Sequence, residues 1–476
     1  MSNPASLQAA IAAHRFGLGE ASLNTVGGDP KQWLAAQIGP ADAPRGDGLL
    51  STPQALAFVQ AEREQRKLVK NPEPGVTPGM TQEQAAAQAV AGHYREVIVA
   101  DARSRLLTAA LTTRPFAERL QWFWANHFTV SLAKGSTRGL VGAFERDAIR
   151  PNITGSFETL LFAATTHPAM LRYLDNFQSA GPNSSIVARA AKRAARQGES
   201  PRVTGLNENL AREVLELHTL GAESARGAGG YTQADVTAFA RVLTGWRVGY
   251  QEPDASKPFD PAWHEPGRKT LLGTTYPEGP DALRMVLHDL SLHPATAHFI
   301  ATKLARHFVA DDPPPALVER LAATYLRSGA QLAPVYRELI ASPEAWTVPA
   351  AKLKTPEEFV VSAARLLKLS PRLFERGDAG SAGGIVTLGQ RLQAAPSPAG
   401  WSDRADDWLG PDAVWKRVEW STRTAGRLGS SVDARALAAQ SLGPLLTPET
   451  QAQLERAADG PQALALLLMA PEFQRR

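Results

Sequence analysis

Strong helix formers recur at helical spacing through most of this 476-residue chain, with alanine beside leucine, arginine, glutamate and glutamine in one segment after another. Short alternating apolar runs are scarce. There is no strand–helix–strand rhythm and no GxGxxG, so a nucleotide-binding sheet is not expected. The pattern predicts an all-α protein: a multi-helix globular array with long irregular loops and room for one small β-hairpin.

A single core usually stops growing well short of this length, so the chain should divide into two or three parts. Irregular stretches suggest where. Residues 71–79 carry three prolines and two glycines and must form a loop. Residues 179–204 are polar and Ser/Gly/Arg-rich and read as a long loop with at most a short helix. A third zone, 248–277, holds five prolines and is the place for a hairpin, and 377–410 is again Gly/Pro-rich. The expected division is an N-terminal helical region (1–178), the polar loop (179–204), a central helical region (205–350) containing the loop 248–277, and a C-terminal helical region (351–476).

Composition closes off several classes. With no cysteine, disulfides, thiolate metal sites and cysteine nucleophiles are excluded, leaving His, Asp and Glu as metal ligands. The net charge of +4 is too small over this length to argue for nucleic acid. The densest basic run, Arg189, Lys192, Arg193 and Arg196, reads as a solvated face. No apolar run is long enough for a transmembrane helix, and the first residues lack a signal-peptide pattern. The cytoplasm is the default expectation, with the periplasm open if a leader has been trimmed.

Five segments could carry chemistry. In Thr113–Ser131, Leu120, Phe123 and Trp124 share a helix stripe with His127, so this histidine points among bulky apolar groups, either as a core residue or as a ligand or base at a dry pocket floor. Asn126 falls on another face. In Gly142–Ser179, Arg146 and Arg150 lie four apart, Asp147 can pair with Arg150, and Pro168 suits a first helical position. Asp175 closes that helix at the end where carboxylates are disfavoured, which suggests either an external basic or cationic partner or a plain solvated helix end.

The segment Leu206–Gly221 is the most informative. Asn207 suits an N-cap and Gly221 a C-terminal stop. Asn209, Glu213 and Glu216 form a polar stripe, and His218 sits about 140° from Glu213 at about 100° per residue. After it, Thr232 and Asp235 resemble a capping box. His264, Glu265 and Lys269 lie in an irregular segment, where polar groups more often serve function. His298 and His307 are nine apart on opposite helix faces and are not a ligand set. HExxH, GxSxG, Walker A and kinase signatures are all missing.

These segments together resemble the bacterial family known as domain of unknown function 1800. The resemblance rests on Arg15-Phe-Gly, Phe123-Trp-Ala-Asn-His-Phe, Glu145-Arg146 with Ile149-Arg-Pro, His167-Pro-Ala-Met-Leu and Tyr173-Leu-Asp-Asn. It continues through Asn207-Glu-Asn, Ala211-Arg-Glu, Glu216-Leu-His-Thr-Leu-Gly, Gly230-Tyr-Thr-Gln, Val242-Leu-Thr-Gly-Trp, His264 with Lys269, His293-Pro-Ala-Thr-Ala and Pro398-Ala-Gly-Trp. Glu265 stands where the family usually has Asp, and Asn152-Ile153 where His-Ala is common. The resemblance implies a largely helical fold without an assigned activity. It also implies a genomic neighbour from the domain of unknown function 1501 family, similar to alkaline-phosphatase-like proteins and hence a candidate protein partner.

Polar groups in such number are costly to bury unless they satisfy one another or a ligand. The leading expectation is therefore a metal-dependent enzyme, an oxidoreductase of hydroxylase type acting on a peptide or other polymer. Its metal, a divalent transition ion and by preference Fe(II), would be held by His127, His264, Glu213 and His218. Glu213, Arg146, Arg150 and Lys269 would serve catalysis; Asn126, Asp175, Asn176, Asn207, Asn209 and Tyr231 would bind substrate. The alternative is a non-catalytic binding or assembly module for the exported neighbour, its polar centre a network that fixes the fold.

Overall fold

The structure is a computed structural model that describes residues 4–70, 80–200, 205–226, 230–248, 259–348, 350–369 and 382–476. Residues 71–79, 201–204, 249–258 and part of 377–410 lie outside the described ones, and with them the expected loop at 71–79 and part of the 248–277 zone.

Helix dominates, and proline helps to build it. Helices start with proline at Pro30–Ala35, Pro115–His127, Pro168–Tyr173, Pro294–Phe308, Pro315–Arg327, Pro356–Leu366, Pro411–Leu428 and Pro448–Arg456. The first helical position has no N–H to lose, and the ring presets φ. The two His-Pro-Ala runs are the clearest case. His167 Nδ1 accepts from Ala169 N and His293 Nδ1 from Ala295 N, each at 3.1 Å. Both histidines are N-caps, a structural role for residues that look chemical in sequence.

Other local signals behave much as expected. Asn207 Oδ1 accepts from Asn209 N at 2.9 Å, although the N-cap itself is Glu208, Gly221 leaves its helix at φ 87°, and Thr232 and Asp235 form a complete capping box. The expected hairpin is there: Lys269–Leu271 pairs antiparallel with Thr274–Tyr276. The 179–204 stretch is more ordered than expected, because Ser185–Gln197 is a helix. Ser184 and Ser185 precede a run of alanine and arginine, which outweighs the loop-like composition around it.

Among the described residues, three segments are π-helical rather than α-helical: Ala12–Phe16, Glu145–Ile149 and Val214–Thr219. A π turn shifts the face that later residues present, and such turns concentrate at functional sites. The apolar core falls into two clusters. The larger unites residues from Ala9 to Ala345, drawing on both the N-terminal and central regions. The smaller joins Leu18, Leu106 and Trp122 to the C-terminal helices. Among the described residues no helix is long and apolar enough to cross a membrane.

Candidate functional site

The residues expected to form one centre are distributed over several. His127 and His218 do meet, with ring centroids 6.0 Å apart among Phe123, Trp124, Phe128 and Phe299. The π turn brings this about: it carries His218 inward while Glu213 stays half-buried on the other side. The His127 Nε2–H donates to the His218 carbonyl at 3.1 Å. Its Nδ1 and both ring nitrogens of His218 have no partner among the described residues. Burial, then the charge of Lys303, pushes the His218 imidazole down to about 3, and burial drives His127 well below its ordinary range.

His264 belongs to a different cluster. Its Nδ1–H donates to Thr244 O at 2.7 Å, and Nε2 accepts from Lys269 Nζ at 2.9 Å and Gly279 N at 3.2 Å. Lys269 Nζ also donates to Glu265 O at 2.5 Å. The Glu265 carboxylate accepts from Asn183 N and Nδ2. Gly181 packs so closely there that a Cβ would lie 2.5 Å from Glu265 backbone atoms. Every ring nitrogen of His264 is thus engaged, and no lone pair is left for a metal. Among the described residues no group of three or more His, Asp or Glu side chains gathers as a metal ion would need. The expected ligand set of His127, His264, Glu213 and His218 is not assembled in this geometry.

The other expected site residues mostly hold structure together. Arg146 donates to Asp101 at 2.6 Å and to Leu50 O at 2.6 Å. Arg150 forms a two-pronged pair with buried Glu118 at 2.7 and 2.8 Å and also binds Asp42 O, so its partner is not Asp147, which accepts from Thr52 instead. Asp175, at φ 58°, pairs with a cation, the first of its two expected readings: Lys134 Nζ lies at 2.5 Å. Asn176 Nδ2 ties down Leu243 O and Trp246 O. Asn207 accepts from Asn209 N one residue ahead of the Glu208 N-cap, Asn209 is exposed, and Tyr231 is buried. Burial, then repulsion from Glu216, raises the Glu213 carboxyl, but among the described residues no other candidate hydrogen-bonds to it.

Asn126 is the exception, because it leads to a cleft. An open cleft is lined by Arg105, Trp122, Asn126, Glu145, His307, Glu357, Glu358, Gln390, Trp401 and Asp403, among others. These come from distant parts of the chain. Asn126 clasps the loop that carries Trp401: its Oδ1 accepts from Trp401 N and its Nδ2 donates to Trp401 O, both at 2.8 Å. Gly400 makes this approach feasible, since at φ +85° a Cβ would lie 2.6 Å from Asn126 oxygen atoms. The Thr355 capping box fixes the first turn of Pro356–Leu366 and so aims Glu357 and Glu358.

Charge in the cleft wall is heavily paired. Arg105 bridges Glu357 at 2.5 Å and Glu145 at 2.9 Å. Glu358 holds Arg119 at 2.5 Å and Arg476 at 2.9 Å. Despite its burial, Glu358 is held well below the usual carboxylate range by Arg476 and Arg119. Burial instead pushes Glu357 up, against the opposing pull of Arg105.

One pair differs from the rest. His307 Nδ1–H donates to Asp403 Oδ1 at 3.0 Å, and His307 Nε2 has no partner among the described residues. The carboxylate therefore fixes the tautomer and orientation of the ring and leaves a lone pair on Nε2. Burial lowers the His307 pKa, against the opposing pull of Asp403, so the imidazole is neutral near pH 7. Burial alone would raise Asp403, yet His307 and Lys352 bring it to about 2. A neutral imidazole oriented by an ionised carboxylate is the arrangement of a general base.

His307, Asp403, Glu357, Glu358 and Arg105 are not among the residues singled out from sequence for this chemistry. Local signals existed for some: the Thr355-Pro-Glu-Glu capping box, and Trp401 two residues before Asp403. His307 and Asp403, 96 residues apart, meet only through the fold.

The chain belongs to the family described as protein of unknown function DUF1800, whose model matches residues 11–475. No curated protein and no solved structure matches it.

Proposed function

We propose that this family member is an enzyme whose substrate enters the cleft beside Trp401 and whose general base is His307, oriented by Asp403. The observation that carries the reading is the unpartnered Nε2 of His307, in a side chain that lines the cleft and is fixed from behind by Asp403. The substrate is a segment of a polar polymer. Trp401 offers a flat apolar face beside Gln390, Asn126 and the paired carboxylates. His307 Nε2 would take a proton from a water molecule or a substrate hydroxyl.

Incubating the protein with panels of peptides and oligosaccharides, with products read by mass spectrometry, tests the proposal. Product formed by the wild type and lost in His307→Asn supports it. Product formed equally well by His307→Asn overturns it.

A second reading keeps the transition metal, with His127 and His218 as ligands, because three of their four ring nitrogens have no partner among the described residues. In that case Fe(II)-dependent oxidation stays open as the chemistry. Elemental analysis of wild type and His218→Asn separates the two readings: a stoichiometric metal lost in the variant favours this one.

A further inference from the structure

We infer that Lys352 and Arg476 are positioning residues for the His307–Asp403 pair, a single clamp that grips the backbones of both halves; this rests on the reading of His307 as the base of the cleft. Lys352 and Arg476 sit directly opposite each other in a short antiparallel contact. Lys352 N donates to Arg476 O at 3.2 Å, and Arg476 N to Lys352 O at 2.8 Å. Residues that exchange both bonds in this way send their side chains to the same face. Here Arg476 Nη1 donates to His307 O, and Lys352 Nζ donates to Asp403 O. Two neighbouring cations thus hold the two members of a pair that lie 96 residues apart in the chain.

Each grip is braced again. His307 lies in the last turn of Pro294–Phe308, whose carbonyls have no partner within the helix, so Arg476 supplies a donor that the helix end lacks. Arg476 is itself aimed by Glu358 in the cleft wall, at 2.9 Å from Nη2 and 3.2 Å from Nε. Lys352 Nζ also donates to Asp311 Oδ1. Asp311 Oδ2 in turn accepts from Ala405 N at 2.9 Å, two residues beyond Asp403.

A contact that only joined two segments would not need this chemistry. Like charges directly opposite each other repel, and burying them is costly. Yet Lys352 and Arg476 are both buried. What they offer over an apolar pair is two long, directed donors that reach the base and its carboxylate together. A misplacement of about 1 Å can cost roughly 100-fold in rate, so this registration has a catalytic use.

NMR of protein labelled with nitrogen-15 in histidine tests the clamp without any substrate. His307, assigned by its loss in His307→Asn, should give one neutral form with its proton on Nδ1. In Lys352→Met that Nδ1–H signal should be lost to faster exchange with water. Turnover of a cleft substrate should then fall roughly 10- to 100-fold, with KM little changed. Lys269→Met, a destabilised control outside the cleft, should leave the His307 signal as in the wild type. A His307 Nδ1–H signal retained in Lys352→Met overturns the inference, whatever happens to the melting temperature. If Lys352→Met does not fold, Asp311→Asn, which weakens the hold on Lys352 and Ala405, is read in the same way. The NMR signal requires no turnover, so its outcome is separate from that of the base assignment, which product formation by His307→Asn decides.

Discussion

Two histidine clusters, one around His264 and one around His307, look alike in composition and differ in what they leave over. Around His264 every bond closes: Thr244 O, Lys269 and Gly279 engage both ring nitrogens, and Lys269 is in turn engaged by Glu265 O. Around His307 one bond closes and one valence stays open, because Asp403 engages Nδ1 while Nε2 has no partner among the described residues. Residue type does not separate a structural network from a chemical one. Unused hydrogen-bonding capacity beside an accessible space does.

The largest expected effect breaks the comparison outright if it fails. His307→Asn keeps a donor toward Asp403 but removes the base, so turnover on a cleft substrate should fall roughly 10²–10⁴-fold with little loss of stability. A matching loss from His264→Asn, at unchanged stability, would reverse the assignment. Next, Lys269→Met removes the Lys269 donor from Glu265 O and leaves His264 Nε2 with Gly279 N alone, and should cost about 1–3 kcal/mol in chemical denaturation, without changing affinity in the cleft. A third kind of histidine sharpens the contrast. His293→Ala removes an N-cap and should cost about 1 kcal/mol, with no change in turnover.

Another expected effect is in pH dependence. The His14 and His218 pKa values are lowered to about 3, and those of His127, His264 and His307 are also lowered. For a base depressed in the folded state, the unfolded chain binds the proton first, so stability is constant above the unfolded value near 6.5 and falls as pH drops below it. Melting curves between about pH 7 and pH 5 should show that decline, and His218→Asn should reduce its slope by up to one proton. A flat profile in the wild type would contradict the burial of these imidazoles as neutral groups.

Much of the fold is written locally. Proline at first helical positions, the Thr232–Asp235 box and the Gly221 stop all act over a few residues, so the sequence shows them directly, while the cap expected at Asn207 falls one residue later, at Glu208. The π turns are not legible in this way. A regular pitch puts His218 far around from Glu213 without saying which of them goes inside, whereas the widened turn buries His218 against His127. The cleft was legible only at its edges, through Asn126 and the Pro398-Ala-Gly-Trp run. Its centre depends on pairs such as Arg105 with Glu357, 252 residues apart, which no local period reveals. Asp175 is an instructive middle case: the clash with its helix end raised a cationic partner as one of two readings, and only the fold could choose it and name Lys134.

The central claim is that the cleft, with the open nitrogen of His307, is where this chain does its chemistry. Soaking crystals with a library of small peptide and saccharide fragments tests it most directly. The account predicts fragments gathered against Trp401, with a polar atom within hydrogen-bonding distance of His307 Nε2. Fragments that collect around His264 and Lys269, or elsewhere, while the cleft stays empty would contradict it.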